Sequence, residues 1–399
     1  MPIPSDRLLA EAREILPSAV KLRRQLHMQP ELGLDLPQTT ATVVETLRDL
    51  ELDIARSKTT SGFVATVRGD RPGPAILLRA DMDALPMPED TGLEFASREK
   101  GRMHACGHDA HTAMLAGAAR LLHQHRADLR GSVHLLFQPG EEGFFGARHM
   151  ADEGMFDGEG GPTAAFAIHI DPRLPIGKIA TRAGAVMAAA DFWEVDIKGR
   201  GGHASMPHDT IDPIPIACEI VHALQGFVTR RFDVFDPVVI TTTKIKAGTT
   251  NNVIPESASM VGTLRSISER ARARAHTGIR RIAEQVASAH EADAAVRLIS
   301  GYPVTINDSG FVHFTREVVD ELLGPAGYVE MPSPVMGAED FSYILQRLPG
   351  AMVFLGVRPE GTEQPAPCHS NRMILNEAGM VSGIALHAAI ALRYLEMTA

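Results

Sequence analysis

The chain has little that would commit it to a membrane, a nucleic acid or an oxidising compartment. It holds three cysteines in 399 residues, Cys106, Cys218 and Cys368. An odd number scattered over a long chain offers no disulfide framework and fits a reducing cytoplasm. No apolar run reads as long enough to span a bilayer. The segment from Met1 to Arg7 lacks the basic stretch and apolar run of a secretion signal. Charge of one sign is nowhere concentrated. The 39 basic and 49 acidic residues give a net charge of −10 without a block of like charges, which argues against nucleic acid and anionic membrane as partners. What is present is an ordinary globular composition, 44% apolar and 22% charged, on a chain long enough for one large or two medium domains.

Periodicity separates two styles of structure. Helical spacing is expected after Ser5-Asp6, over Thr39 to Leu50 and after His108, and short apolar strands at Gly62–Arg68, Ala75–Ala80, Val133–Phe137 and Ala164–Ile168. Helices alternating with wholly apolar strands imply an α/β layer with a covered sheet. Near residue 188 the pattern changes. Asp191 to Ile197 alternates polar with apolar, and a helix at Pro213–Thr229, strands near Val238–Lys246 and Ser257–Arg265 and a helix at Glu269–Ala289 follow. That order suggests an α+β domain with its helices on one face. From about residue 300 the α/β style returns, with helices at Phe311–Leu323, Glu339–Leu348 and Met380–Leu395 and a strand at Met352–Leu355. The expected organisation is one domain of residues 1–187 and 300–399, interrupted by a smaller one of residues 188–299.

Chemistry concentrates at the ends of the apolar strands. Cys106 and His108 stand two apart in His104-Ala105-Cys106-Gly107-His108-Asp109, with Gly107 permitting a tight turn and His111 adding to the density. Thiolate and imidazole both suit zinc and its neighbours. A Cys–His nucleophilic pair is the other reading, though no third group is evidently placed to orient the base. Glu141-Glu142 follows the strand Val133–Phe137 through Gln138-Pro139-Gly140. Adjacent carboxylates are costly unless solvated or met by positive charge; a metal would take one as ligand and leave the other as general base for a water. His169 closes another apolar strand, and His369 precedes the last helix. Ligand sites in open α/β sheets lie beyond the carboxyl ends of the strands, and these groups converge there. Asp83, after Ala75–Ala80, is placed to orient a ligand imidazole or to serve as a turn aspartate. Among the inserted residues, Gly201-Gly202-His203 suggests an unusual turn, while Asn252 and Arg265 offer groups for a substrate carboxylate. Cys218 reads as core on the apolar side of a helix.

Arg79-Ala80-Asp81-Met82-Asp83-Ala84-Leu85-Pro86, Met103 to Thr112, Phe137 to Gly143, Gly201 to Ala204, Asn252 to Pro255 and Gly337 to Phe341 together resemble the peptidase M20 family. The likeness is to its amidohydrolase branch of aminoacylase, hippurate hydrolase and indole-acetyl-amino-acid hydrolase relatives. The resemblance implies a mixed-sheet α/β catalytic domain holding two divalent metal ions per subunit (zinc, manganese, cobalt or nickel), with an inserted α+β lid or dimerisation domain and a homodimeric assembly. It implies Cys106, His108, Glu142, His169 and His369 as metal ligands, Glu141 as general base and His203 as a lid histidine that polarises the scissile carbonyl, with Asn252 and Arg265 touching substrate. Two departures stand out. Asp81 occupies the place where many M20 peptidases carry a histidine, and Gly140 the place where the branch commonly has alanine. The implied reaction is hydrolysis of an N-acyl amino acid. A metallo-carboxypeptidase or dipeptidase on the same scaffold, a non-catalytic metal-binding protein and a Cys106 nucleophilic hydrolase are the alternatives.

Overall fold

Apolar runs too short for helices and flanked by turn residues become buried strands. Those expected near Ala75, Val133 and Ala164 form as Arg71–Asp81, Arg130–Gln138 and Pro162–Asp171. With Gly350–Gly356 they are parallel neighbours, ordered 130–138, 71–81, 162–171 and 350–356, at the centre of an eight-stranded sheet. Antiparallel Phe63–Arg68 and Asp53–Arg56 extend one side; Ile179–Thr181, antiparallel to its neighbour, and then Tyr328–Glu330 extend the other, so the sheet is mixed. Parallel strands need both faces covered, and Ile76, Leu78, Leu135, Phe137, Phe166 and Val353 are all buried. The helices Ser5–Met28, His108–Gln124 and Met380–Met397 pack against one another, and the last two lie on the central strands. The computed structural model describes residues 3–157 and 160–398.

Two sequence expectations fail in this layer. The segment Glu377–Met397 is, by length and by a stretch of mean hydropathy 1.4, able to cross a bilayer, but 78% of that stretch is buried inside the fold. Its apolarity on all sides is that of a core helix, with Ile384, Leu386, Ile390 and Leu395 enclosed. The helix expected over Glu339–Leu348 shrinks to Ser342–Leu345. Its start is held instead by the Asp340 side chain, which accepts hydrogen bonds from Arg79, Gln138 and the Ala147 amide.

The chain divides into two compact units, one running to Val186 with Ile306–Ser333 and the chain from Asp340, the other Met187–Thr305 with Pro334–Glu339. The second therefore extends beyond the expected 188–299. Its added stretch is tied by the Ala188 amide, which donates to the carbonyls of Val335 at 3.0 Å and Gly337 at 2.9 Å. Its sheet is antiparallel throughout, ordered Val238–Ala247, Ser257–Ser266, Ala189–Lys198 and Asp293–Ile299. Trp193, Val195, Ile220, Leu224, Met260 and Ile279 form a core with the helices Pro213–Arg231 and Glu269–Ala289. Both helices start on side-chain caps: Asp212 accepts from the Ile214 amide and Ser268 from the Ala271 amide. Cys218 is exposed rather than core, because Ala217 and Ile220 take the inward face of its helix.

Candidate metal centre

Five segments meet at the carboxyl end of the parallel strands. Strand Arg71–Asp81 delivers a buried charge network: Arg79 donates to Asp81 at 2.6 Å, to Asp340 at 2.9 Å and to Gln138 at 2.9 Å. Two residues on, the Asp83 carboxylate accepts from the backbone amides of both Glu141 (2.9 Å) and Glu142 (3.0 Å). One side chain thus fixes the turn that carries the paired acids. Gly140 opens that turn at φ +72°. A methyl there would lie 2.5 Å from Leu34 Cδ2, and the left-handed backbone disfavours any side chain. Glycine here relieves the turn of that backbone strain and of a shift in the Leu34 side chain.

Helix His108–Gln124 begins at Gly107, φ +84°, which leaves Cys106 and His108 on either side of the bend. The Cys106 thiol is 3.3 Å from His169 Nε2. His169 Nδ1 donates to the Ile170 carbonyl at 2.7 Å, so Nε2 carries a lone pair facing Cys106. Glu142 Oε1 lies 3.8 Å from His108 Nε2 and 3.4 Å from His369 Nε2. His369 has φ +66°, and its amide donates to the Ala105 carbonyl at 2.8 Å, tying the last loop to the Cys106 segment. Among the described residues, the groups with ligand atoms within 4.8 Å of one another include Cys106, His108 and His169; Cys106, Glu142 and His369; His108, Glu141 and Glu142; and Asp81, His108 and His111.

The electrostatics call for a cation. His108 is buried with neither ring nitrogen hydrogen-bonded, yet Asp81, Asp83 and Glu142 stand 3.6, 3.5 and 3.8 Å away. Burial depresses its pKa, but those carboxylates outweigh it and push it up to about 10. Glu142 Oε1 is likewise buried and makes no hydrogen bond; the imidazoles of His369 and His108 beside it hold that carboxyl below its ordinary value against its burial. The neighbouring Cys368 thiol, and burial, raise Cys106 well above the usual thiol range. Unpaired imidazole and carboxylate atoms converging with a thiol are the donor set of a soft or borderline divalent ion.

The structure also sorts the dense histidine run. His111 donates from Nδ1 to Asp81 at 2.6 Å and accepts at Nε2 from the Ile170 amide at 2.9 Å. Both nitrogens are used, and burial lowers its pKa to about 4. It is a strut between two strand ends. Reading it as mere histidine density missed this, although its place three residues after His108 puts it on the same helix face. His104 and Asp109 belong to a second cluster. Asp109 accepts from His27 at 2.8 Å and Arg23 at 3.1 Å, and buried His104 packs toward the His27 ring.

His203, Asn252 and Arg265 all lie in the second unit. The strand pair Gly202–His203 and Val253–Ile254 sets His203 opposite Val253, and the Ala204 amide donates to the Asn252 carbonyl at 3.1 Å, so the two motifs are neighbours. His203 Nδ1 accepts from the Ser205 amide at 3.2 Å, which leaves the ring proton on Nε2. Arg265 sits on Ser257–Ser266, on the face opposite Leu264, half-buried, and burial lowers its pKa.

The family model described as peptidase family M20/M25/M40 matches residues 77–393. The chain belongs to that family. Within the M20 family it is 39% identical to IAA-amino acid hydrolase ILR1-like 2 of Arabidopsis thaliana, over 97% of this chain and 87% of that one. It is also 39% identical to thermostable carboxypeptidase 1 of Saccharolobus solfataricus, over 98% of both. The Bacillus subtilis YXEP protein, a dinuclear metal binding peptidase from the M20 family, superimposes with a TM-score of 0.84 at 35% identity, covering 97% of this chain and 100% of that one. This M20 chain is a metallohydrolase of amide or peptide bonds.

Proposed function

We propose that the protein hydrolyses the amide of N-acyl amino acids, releasing a carboxylic acid and a free amino acid. The observation that supports it most is the Asp83 clamp on Glu141 and Glu142. It presents adjacent carboxylates of which Glu142 faces His108 and His369, with a Glu141 oxygen within 4.8 Å of the same His108. Cys106, His108, Glu142, His169 and His369 would hold two divalent ions, whose contribution is to acidify water and polarise the scissile carbonyl. Glu141 takes the proton from the attacking water and delivers it to the departing amine. Asp83 keeps both acids in register. His203, with its proton on Nε2, acts as donor to the carbonyl oxygen as charge develops, and Asn252 and Arg265 receive the substrate carboxylate. The working assembly is a homodimer.

The likeness to a carboxypeptidase over nearly the whole chain favours a second reading, cleavage of C-terminal residues from peptides. A hydrolysis screen separates the two. N-acetyl, N-benzoyl and long-chain N-acyl amino acids are compared with dipeptides, with metal content measured on the same sample. Turnover of the acyl amino acids above that of the dipeptides is expected; the reverse order replaces the first reading with the second.

A further inference from the structure

The strands Arg71–Asp81 and Arg130–Gln138 begin with arginines that face each other in register. Like charges set side by side repel. The pairing is held all the same, because the bulge Pro72-Gly73-Pro74 that follows Arg71 has two φ angles locked by proline. This is the amino end of the strands, away from the candidate centre. Both arginines line a cavity of about 300 Å³, a volume at the lower end of small-molecule sites. Its apolar wall is made by Ile3, by Leu8 of the first helix and by Ala389 and Leu392 of the last. A third arginine there, Arg393, is already met by Glu321 at 2.8 Å. Two acids line the same space. Among the described residues Asp128 reaches only His125, 4.0 Å away, Glu396 pairs with no cation, and neither bonds to Arg71 or Arg130.

Two unpaired cations and two unpaired anions around an apolar wall restrict what can fill the space. A lone anion would satisfy the guanidiniums and face two carboxylates; a lone cation would do the reverse. A hydrocarbon would desolvate all four charges and pair with none. We propose that the cavity is a binding site for a free α-amino acid with an apolar side chain. Its carboxylate takes the Arg71 and Arg130 guanidiniums, its ammonium takes Asp128 and Glu396, and its side chain lies on Leu8 and Leu392. Each lining charge without a partner then has one. This holds whatever the centre at the other end of the strands hydrolyses.

The test is equilibrium dialysis of the full-length, metal-loaded protein against leucine. The double variant Arg71→Gln/Arg130→Gln should bind it about tenfold more weakly or worse at this site, with Tm and hydrolysis unchanged. Leucine held at the metal centre is common to parent and variant, so the difference between their isotherms belongs to this cavity. Isocaproate lacks the ammonium, isoamylamine the carboxylate and glycine the side chain; each should show a much smaller difference than leucine. Asp128→Asn/Glu396→Gln should weaken leucine and spare isocaproate. Identical leucine isotherms for parent and arginine variant would overturn the proposal. So would isocaproate bound as tightly as leucine, which would make the cavity a plain anion site, or glycine bound as tightly, which would remove the apolar wall from recognition.

Discussion

Glu141 and Glu142 are neighbours in sequence, yet their surroundings divide them. Glu142 Oε1 is buried against two imidazoles, and a carboxylate so placed suits a cation better than a proton. Replacing Glu141 by glutamine should therefore spare metal content while lowering kcat about a thousandfold, the usual scale of a lost general base. Metal analysis beside a turnover assay checks it; activity within about tenfold of the unaltered protein would end the base assignment. The meeting of the paired acids with His169 was foreshadowed by their positions after apolar strands, and that of His369 only by its place ahead of the last helix. The Asp83 clamp was half legible, since a turn aspartate and a ligand-orienting one look alike in sequence. The His111 strut was not, because which nitrogen meets which partner depends on strand ends far apart in the chain.

At the level of single elements, unbroken apolar runs and strong alternation were legible, while a weakly patterned edge strand and a short buried helix were not. The central strands announce themselves by unbroken apolar runs. Asp293–Ile299, a sheet-edge strand with no fully buried side chain, carries too weak an alternation to be found. Helix Glu269–Ala289 was legible residue for residue, because Ser268 caps it and its alanine face is regular. That helix also carries a pH-sensitive tether. Arg272 grips Asp191 through two hydrogen bonds of 2.6 and 2.8 Å, and His276 adds one of 2.7 Å. Burial pushes the Asp191 carboxyl up, but these bonds outweigh it and hold it at about 2. Because the folded value lies below the ordinary one near 3.8, the stabilisation is complete above pH 4 and disappears as the pH falls through about 2. It amounts to roughly 2 kcal/mol. Asp191→Asn should unfold at lower urea concentration at pH 6, and the gap from the parent should narrow steadily towards pH 2. A gap constant across that range would show that the tether contributes nothing through ionisation.

For the whole molecule, the candidate centre draws on neighbouring strand ends of one sheet and on the His369 loop, which comes from far along the chain. If ions occupy it, removing them destabilises the fold as well as stopping the reaction. A chelator should abolish hydrolysis and lower Tm, by roughly 2–4 °C for each kcal/mol of binding energy lost. Returning zinc, manganese or cobalt should restore both. Activity that survives chelation would return Cys106 to the nucleophile reading, since a thiol needs no ion. The two-unit organisation was visible in the change of periodicity near residue 188. The return of Pro334–Glu339 to the second unit was not, because so short a stretch has no period to read.

The Ala105–His369 link has a consequence for how such a chain comes into being. Synthesis runs from the amino end, so Cys106, His108, Glu142 and His169 are all made before His369 exists. Until the final loop arrives and its amide closes onto Ala105, the nascent centre is a basket with one side open. A chain stalled before this loop lacks both His369 and the bond to Ala105, so this side of the centre is set only late in synthesis.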